Sequence, residues 1–104
     1  MIKSIDDLNG LLLHRNPQVR AKAAHALGVR GVRDERAIST LIQMLALTGK
    51  DRSPKVRIQS AYALGHIGGD RVLSPLGVAL RYDKDPRVRA MAAESLRIVG
   101  GIRV

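Results

Sequence analysis

The stretch Asp85-Pro86-Arg87-Val88-Arg89-Ala90-Met91-Ala92-Ala93-Glu94-Ser95-Leu96-Arg97 decides the fold, because the chain contains its pattern three times. Asn16-Pro17-Gln18-Val19-Arg20-Ala21-Lys22-Ala23-Ala24-His25-Ala26-Leu27-Gly28 and Ser53-Pro54-Lys55-Val56-Arg57-Ile58-Gln59-Ser60-Ala61-Tyr62-Ala63-Leu64-Gly65 share its frame, Pro-x-Val-Arg-x-x-x-Ala-x-x-Leu. The prolines stand 37 and 32 residues apart. Self-similarity at such a period marks a repeat architecture. Each copy reads as a helix start. Asn16, Ser53 and Asp85 bring side-chain oxygens to the orphan N–H groups of a first turn. Proline follows at the first helical position, where its missing N–H costs nothing. Val, Ala and Leu then recur at helical spacing as one apolar stripe. Gly28 and Gly65, and after them Gly31, Gly68-Gly69 and Gly100-Gly101, are expected as helix stops.

A weaker helical pattern precedes each copy. Asp34-Glu35-Arg36-Ala37-Ile38-Ser39-Thr40-Leu41-Ile42-Gln43-Met44-Leu45 is amphipathic, with acidic residues at the end where the helix dipole favours them. Its counterparts run from Ser4 to Leu13 and from Asp70 to Leu80, with Pro75 near a helix start, where the first turn tolerates it. Gly10 and Gly77 weaken these first helices. The unit is helix A, short loop, helix B. Three units give about six helices in a single domain over 1–104, with repeats at about 1–31, 32–69 and 70–104.

The Asp-Pro-x-Val-Arg-x-x-Ala-Ala-x-x-Leu run of helix B and the Asp-Glu-Arg-Ala-Ile-x-x-Leu-Ile-x-x-Leu run at 34–45 resemble the HEAT-repeat superfamily. In particular they are similar to the short-repeat subclass first noted in phycobilin lyases. The resemblance covers nearly the whole chain and is specific for fold, not for function. It implies an all-α protein, a right-handed α-solenoid whose B helices line a concave surface. It also implies that the arginine repeated in helix B bonds to an acidic or polar residue in a loop of its own or a neighbouring repeat.

Composition bounds the chemistry. Aromatics are 2% of the 104 residues, Tyr62 and Tyr82 alone, so the core must be built from Leu, Ile, Val and Ala. The chain has no cysteine, which excludes a disulfide, a zinc–thiolate site and a catalytic thiol. No apolar run approaches the ~20 residues that span a bilayer, and no secretory signal opens the chain; a soluble, cytoplasmic protein without membrane contact is expected. The net charge is +9. It divides evenly, with nine basic and five acidic residues in 1–52 and nine and four in 53–104, so it belongs to the folded body rather than a tail. Such a body attracts anions at a distance.

On helix B, the positions one, five and eight after each proline form a stripe away from the core. These are Gln18, Lys22 and His25, then Lys55, Gln59 and Tyr62 with His66 a turn further, then Arg87, Met91 and Glu94. They are the candidate binding face, weighed against an ordinary solvated helix face. Arg20, Arg57 and Arg89 recur at one place in every repeat. A phosphate-gripping ladder and a structural one are both open to them, and strict repetition favours the structural role. Arg30, Arg33 and Arg36 at the entry to the second repeat, and Lys50 and Arg52 in its loop, are candidate phosphate contacts or simply charged loops. The end of the chain, Ile98 to Val104, is apolar for a cap and is expected to tuck back on the last helix B, with self-association as the alternative.

Catalytic and metal readings find no residues. His14, His25 and His66 fall out of phase with one another. Di-iron members of the broad family carry His-Glu pairs directly after the repeated arginine, where this chain has Ala21-Lys22, Ile58-Gln59 and Ala90-Met91. No nucleophile, base and acid set is legible. The expectation is therefore a non-catalytic interaction or scaffolding module with no cofactor and no metal, whose partner is another protein with an acidic surface. Nucleic-acid binding through the phosphate backbone is the alternative. An accessory subunit of a bilin-lyase-like system is a third, by resemblance alone. The sequence leaves the oligomeric state open.

Overall fold

The computed structural model describes residues 3–31, 33–46 and 50–100. Six α-helices follow one another: α1 (Ile5–Leu11), α2 (Pro17–Arg30), α3 (Glu35–Ala46), α4 (Pro54–Ile67), α5 (Leu73–Tyr82) and α6 (Pro86–Gly100). A 3-10 turn, Asp70–Val72, leads into α5. All regular structure among the described residues is helical.

The three B helices start where their sequence says. Pro17, Pro54 and Pro86 are their first residues. Asn16 Oδ1 accepts from the Gln18 N–H at 2.8 Å, Ser53 Oγ from Val56 at 3.4 Å and Asp85 Oδ1 from Arg87 at 2.8 Å. At α1, Ser4 and Asp7 cap each other's backbone N–H groups.

The helix stops need a correction. Gly31 closes α2 in the left-handed region (φ 62°), and Gly68 (φ 76°) closes α4. Gly28 and Gly65 do not stop anything: they lie inside α2 and α4. Their missing side chain serves packing instead. A Cβ on Gly28 would stand 2.8 Å from the Ala63 Cα, and one on Gly65 would stand 2.8 Å from the Ser95 Cα. Each glycine therefore lets the next B helix approach backbone to backbone. Gly100 likewise belongs to α6, and Gly101 to Val104, the rest of the apolar end, lie outside the described residues.

The helices pack as two layers. α2, α4 and α6 lie side by side in that order, and each is backed by its own A helix, α1, α3 or α5. The result is an all-α solenoid, elongated to 40 × 26 × 20 Å. Between the layers run Leu12, Leu27, Leu41, Leu45, Val56, Leu64, Val72, Leu76 and Val88, all fully buried. Each such side chain stabilises the fold by about 1.5–3 kcal/mol relative to exposure. Ala24, Ala61 and Ala63 are fully buried as well, with the Ala63 backbone set against Gly28 of the neighbouring B helix. This is the packing that so few aromatics permit.

Candidate binding groove and the arginine ladder

The repeated arginines hold the stack together. Arg57 forks onto Asp83, Nε to Oδ2 at 2.9 Å and Nη2 to Oδ1 at 3.1 Å. Its Nη1 donates to the carbonyls of Asp51 and Arg52, at 2.9 and 3.1 Å. Both side chains are 2% exposed. Arg20 repeats the pattern one repeat earlier. It grips Asp51 at 2.7 and 2.9 Å and the His14 and Arg15 carbonyls at 2.8 and 3.0 Å. Each guanidinium thus ties the A–B loop of its own repeat to that of the next, a use that suits its rigid fork. With those forks filled, Arg20 and Arg57 have no edge left for a phosphate. Arg89 makes the own-loop bond, Nη1 to the Asp83 carbonyl at 2.7 Å.

Burial penalises the Asp83 charge, but the Arg57 fork and the Asp85 N–H outweigh it and hold the carboxyl below the usual range. The hydrogen bonds to Asp51 raise Arg20 further above its ordinary value.

On the other side of the B helices lies a groove. Gln18, Ala21, Lys22 and His25 of α2 and Lys55 and Gln59 of α4 line a shallow cavity of about 430 Å³. His25 Nδ1 lies 3.0 Å from Gln59 Oε1, an N–H donating to an amide oxygen. The His25 ring stacks on Tyr62, with centroids 4.8 Å apart and planes 12° from parallel. His66 covers the row from the far side, its centroid 4.2 Å from that of Tyr62, and its Nδ1 lies 3.0 Å from the Tyr62 carbonyl. Gly28 makes the row possible, because a Cβ there would meet the Tyr62 ring at 2.9 Å. The groove is therefore lined by polar side chains, with the His25 ring backed by Tyr62 and His66 along one side.

Its electrostatics are one-sided. Asp6, Asp34, Glu35, Asp51, Asp83, Asp85 and Glu94 are all engaged in ion pairs with arginines. Lys22 and Lys55 are exposed and have no carboxylate within ion-pair distance among the described residues. Two uncompensated ammonium groups across a concave surface concentrate positive potential there.

The stripe expected from the sequence divides at this point. Gln18, Lys22, His25, Lys55 and Gln59 come together around the cavity, and Tyr62 and His66 extend it. Arg87, Met91 and Glu94 do not join it. Arg87 folds back on Asp85, Nη2 to Oδ2 at 2.8 Å, and lowers that carboxyl to about 2. Glu94 pairs with Arg97, and Met91 is partly buried against the core. Nor do the basic positions at the entry to the second repeat form one cluster. Arg30 ends α2 and donates to the Lys3 carbonyl; Arg33 Nε donates to the Ile67 carbonyl at 3.3 Å. Arg36 lies within α3 rather than in a loop and pairs with Asp6 and Asp34. Lys50 and Arg52 are exposed beside the ladder.

Three structural residues escaped the sequence reading. Asp51 and Asp83 each stand three residues before a B-helix proline, where the first repeat has His14. Ser95 Oγ donates across the second junction to the Ala61 carbonyl at 2.7 Å. The aspartates are visible once the repeats are aligned backwards from proline; nothing local marks Ser95.

Stacked helix hairpins, clamped by an arginine ladder and open along their B helices, define an α-solenoid repeat protein. The family model for HEAT repeats matches residues 45–104, more than half of the chain. The chain belongs to the HEAT-repeat family, whose repeats commonly mediate protein–protein interaction. Comparison with characterised proteins gave no match. Among the described residues no helix is long and apolar enough to cross a membrane, and no group of His, Cys, Asp and Glu is placed to hold a metal ion.

Proposed function

We propose that this protein is a non-catalytic interaction module whose groove between α2 and α4 takes an acidic segment of a partner protein. One observation carries the reading: Lys22 and Lys55 stand together on one cavity, neither with a carboxylate within ion-pair distance among the described residues, beside the hydrogen-bonding side chains of Gln18, His25 and Gln59. Gln18, Gln59 and His25 add hydrogen-bonding groups that orient a carboxylate or a peptide backbone, and Tyr62 braces the His25 ring from behind. The spacings of 37 and 32 residues support placing the chain in the short-repeat, phycobilin-lyase-type subclass.

The test is a fluorescence-anisotropy titration of the full chain with a labelled polyglutamate peptide. Lys22→Glu combined with Lys55→Glu is expected to weaken binding at least about tenfold, or about 1.4 kcal/mol. Lys50→Glu combined with Arg52→Glu should leave it nearly unchanged. The reverse order makes the loop the contact surface and the proposal wrong. A DNA or RNA duplex that outcompetes the peptide, with affinity falling about 10³–10⁵ between low and moderate salt, decides for phosphate binding instead.

A further inference from the structure

The end of the stack formed by α5 and Arg89 differs from the interior in a way that points to a second partner. At both internal junctions an arginine fork is filled by the aspartate of the following loop, Arg20 by Asp51 and Arg57 by Asp83. Arg89 keeps one of the two own-loop bonds of its counterparts, the 2.7 Å bond to the Asp83 carbonyl. Its Nε and Nη2 edge meets no carboxylate among the described residues. The fork is partly buried and already oriented, so a carboxylate entering it meets a pre-formed site.

The neighbouring helix tells the same story. Alignment of Leu41 with Leu76 pairs Ile38 with Leu73 and Leu45 with Leu80. α3 is flanked by α5, and its Ile38 and Leu45 are 5% and 1% exposed. α5 has no helix beyond it among the described residues, and Leu73 and Leu80 are 42% and 36% exposed. An open acid socket and an uncovered leucine pair therefore stand together, as their filled counterparts do inside the stack.

Two features say what does not fill them. Arg97 occupies the place of Gly28 and Gly65 and is paired with Glu94, so α6 offers no glycine for a further B helix to approach backbone to backbone as α4 approaches α2. A second copy stacked head to tail would bring His14 to the socket where Asp51 and Asp83 stand in the interior. That offers no carboxylate. We propose that the α5 end is a docking surface for a different protein, one presenting an apolar helix followed by an aspartate. The helix covers Leu73 and Leu80 and the aspartate enters the Arg89 fork. The site is separate from the groove between α2 and α4.

The probe is a synthetic peptide copying residues 70–86, the segment that lies against α3 and fills Arg57 in the interior. It is titrated into the full chain while the Leu73 and Leu80 methyl and Arg89 Nε–H signals are followed by NMR. Those signals should shift and saturate. Asp83→Asn in the peptide, which leaves the chain itself untouched, should weaken binding about tenfold; Leu80→Glu in the chain should abolish it. The Lys22→Glu, Lys55→Glu chain should bind as the parent does, which separates this surface from the groove. Shifts confined to the groove, or affinity indifferent to the peptide's aspartate, overturn the proposal. So does concentration-dependent dimerisation abolished by Leu80→Glu, which would give the surface to a second copy.

Discussion

The two junctions between repeats are built to one plan and finished differently. At the second junction the Arg57–Asp83 pair is sealed, Gly65 admits the Ser95 backbone, and the Ser95 hydroxyl bonds across to Ala61. At the first, the Arg20–Asp51 pair still reaches solvent, with side chains 19% and 8% exposed, and Gly28 seats the Tyr62 ring beside an open cavity. One junction has its polar groups spent on the fold. The other keeps Lys22, Lys55 and Gln18 without side-chain partners among the described residues at its mouth. The lesson is that a repeat protein can separate stability from recognition by assigning them to different copies of the same seam.

That contrast can be broken by mutation, most sharply at the ladder. Arg57→Ala leaves Asp83 buried and uncompensated, and should cost about 3–5 kcal/mol. Arg20→Ala, at the more open seam, should cost about 1–3 kcal/mol. Urea unfolding of the two variants gives the comparison, and a larger loss from Arg20→Ala would break it. Gly28→Ala and Gly65→Ala each force a methyl against a facing backbone and should cost about 1–3 kcal/mol by overpacking. Arg97→Gly, the opposite exchange at the uncovered equivalent, should cost only about 1 kcal/mol of helix propensity.

Acid sharpens the same contrast. The folded state holds the Asp83 carboxyl below its ordinary value, so the unfolded chain binds that proton more readily. Stability from this pair is complete above about pH 4, the unfolded aspartate range. It is lost as pH falls through the lower folded value. Thermal melts between neutral pH and pH 2 should show a loss below about pH 4 that is smaller in Asp83→Asn. An equal slope in that variant would remove Asp83 from the explanation. The smallest expected effect is in the groove. Lys22→Glu with Lys55→Glu should unfold within about 0.5 kcal/mol of the parent, because neither ammonium has a partner to lose.

Much of this was legible in the residues. The frame on Pro17, Pro54 and Pro86 gave the B helices to the residue at their starts, because capping and proline chemistry are local. The recurrence of Arg20, Arg57 and Arg89 marked them as equivalent positions. Gly28 and Gly65 misled because local rules read glycine near the end of a helical pattern as a stop. Their purpose depends on a helix 30 to 35 residues away, which no local rule contains. The stripe was legible as a face but not as a site. Whether Glu94 faces a groove or pairs with Arg97 is settled by neighbouring side chains, and so is the pairing of the exposed Arg87 with Asp85.

The division of labour between the seams comes down to where an acidic ligand lands. The measurement is an NMR titration of the isotope-labelled full chain with a polyglutamate peptide, read residue by residue. Shifts should concentrate at Gln18, Lys22, His25, Lys55, Gln59 and Tyr62 and leave Arg57 and its neighbours still. Shifts centred on Lys50 and Arg52, or spread evenly over the basic surface, would contradict it.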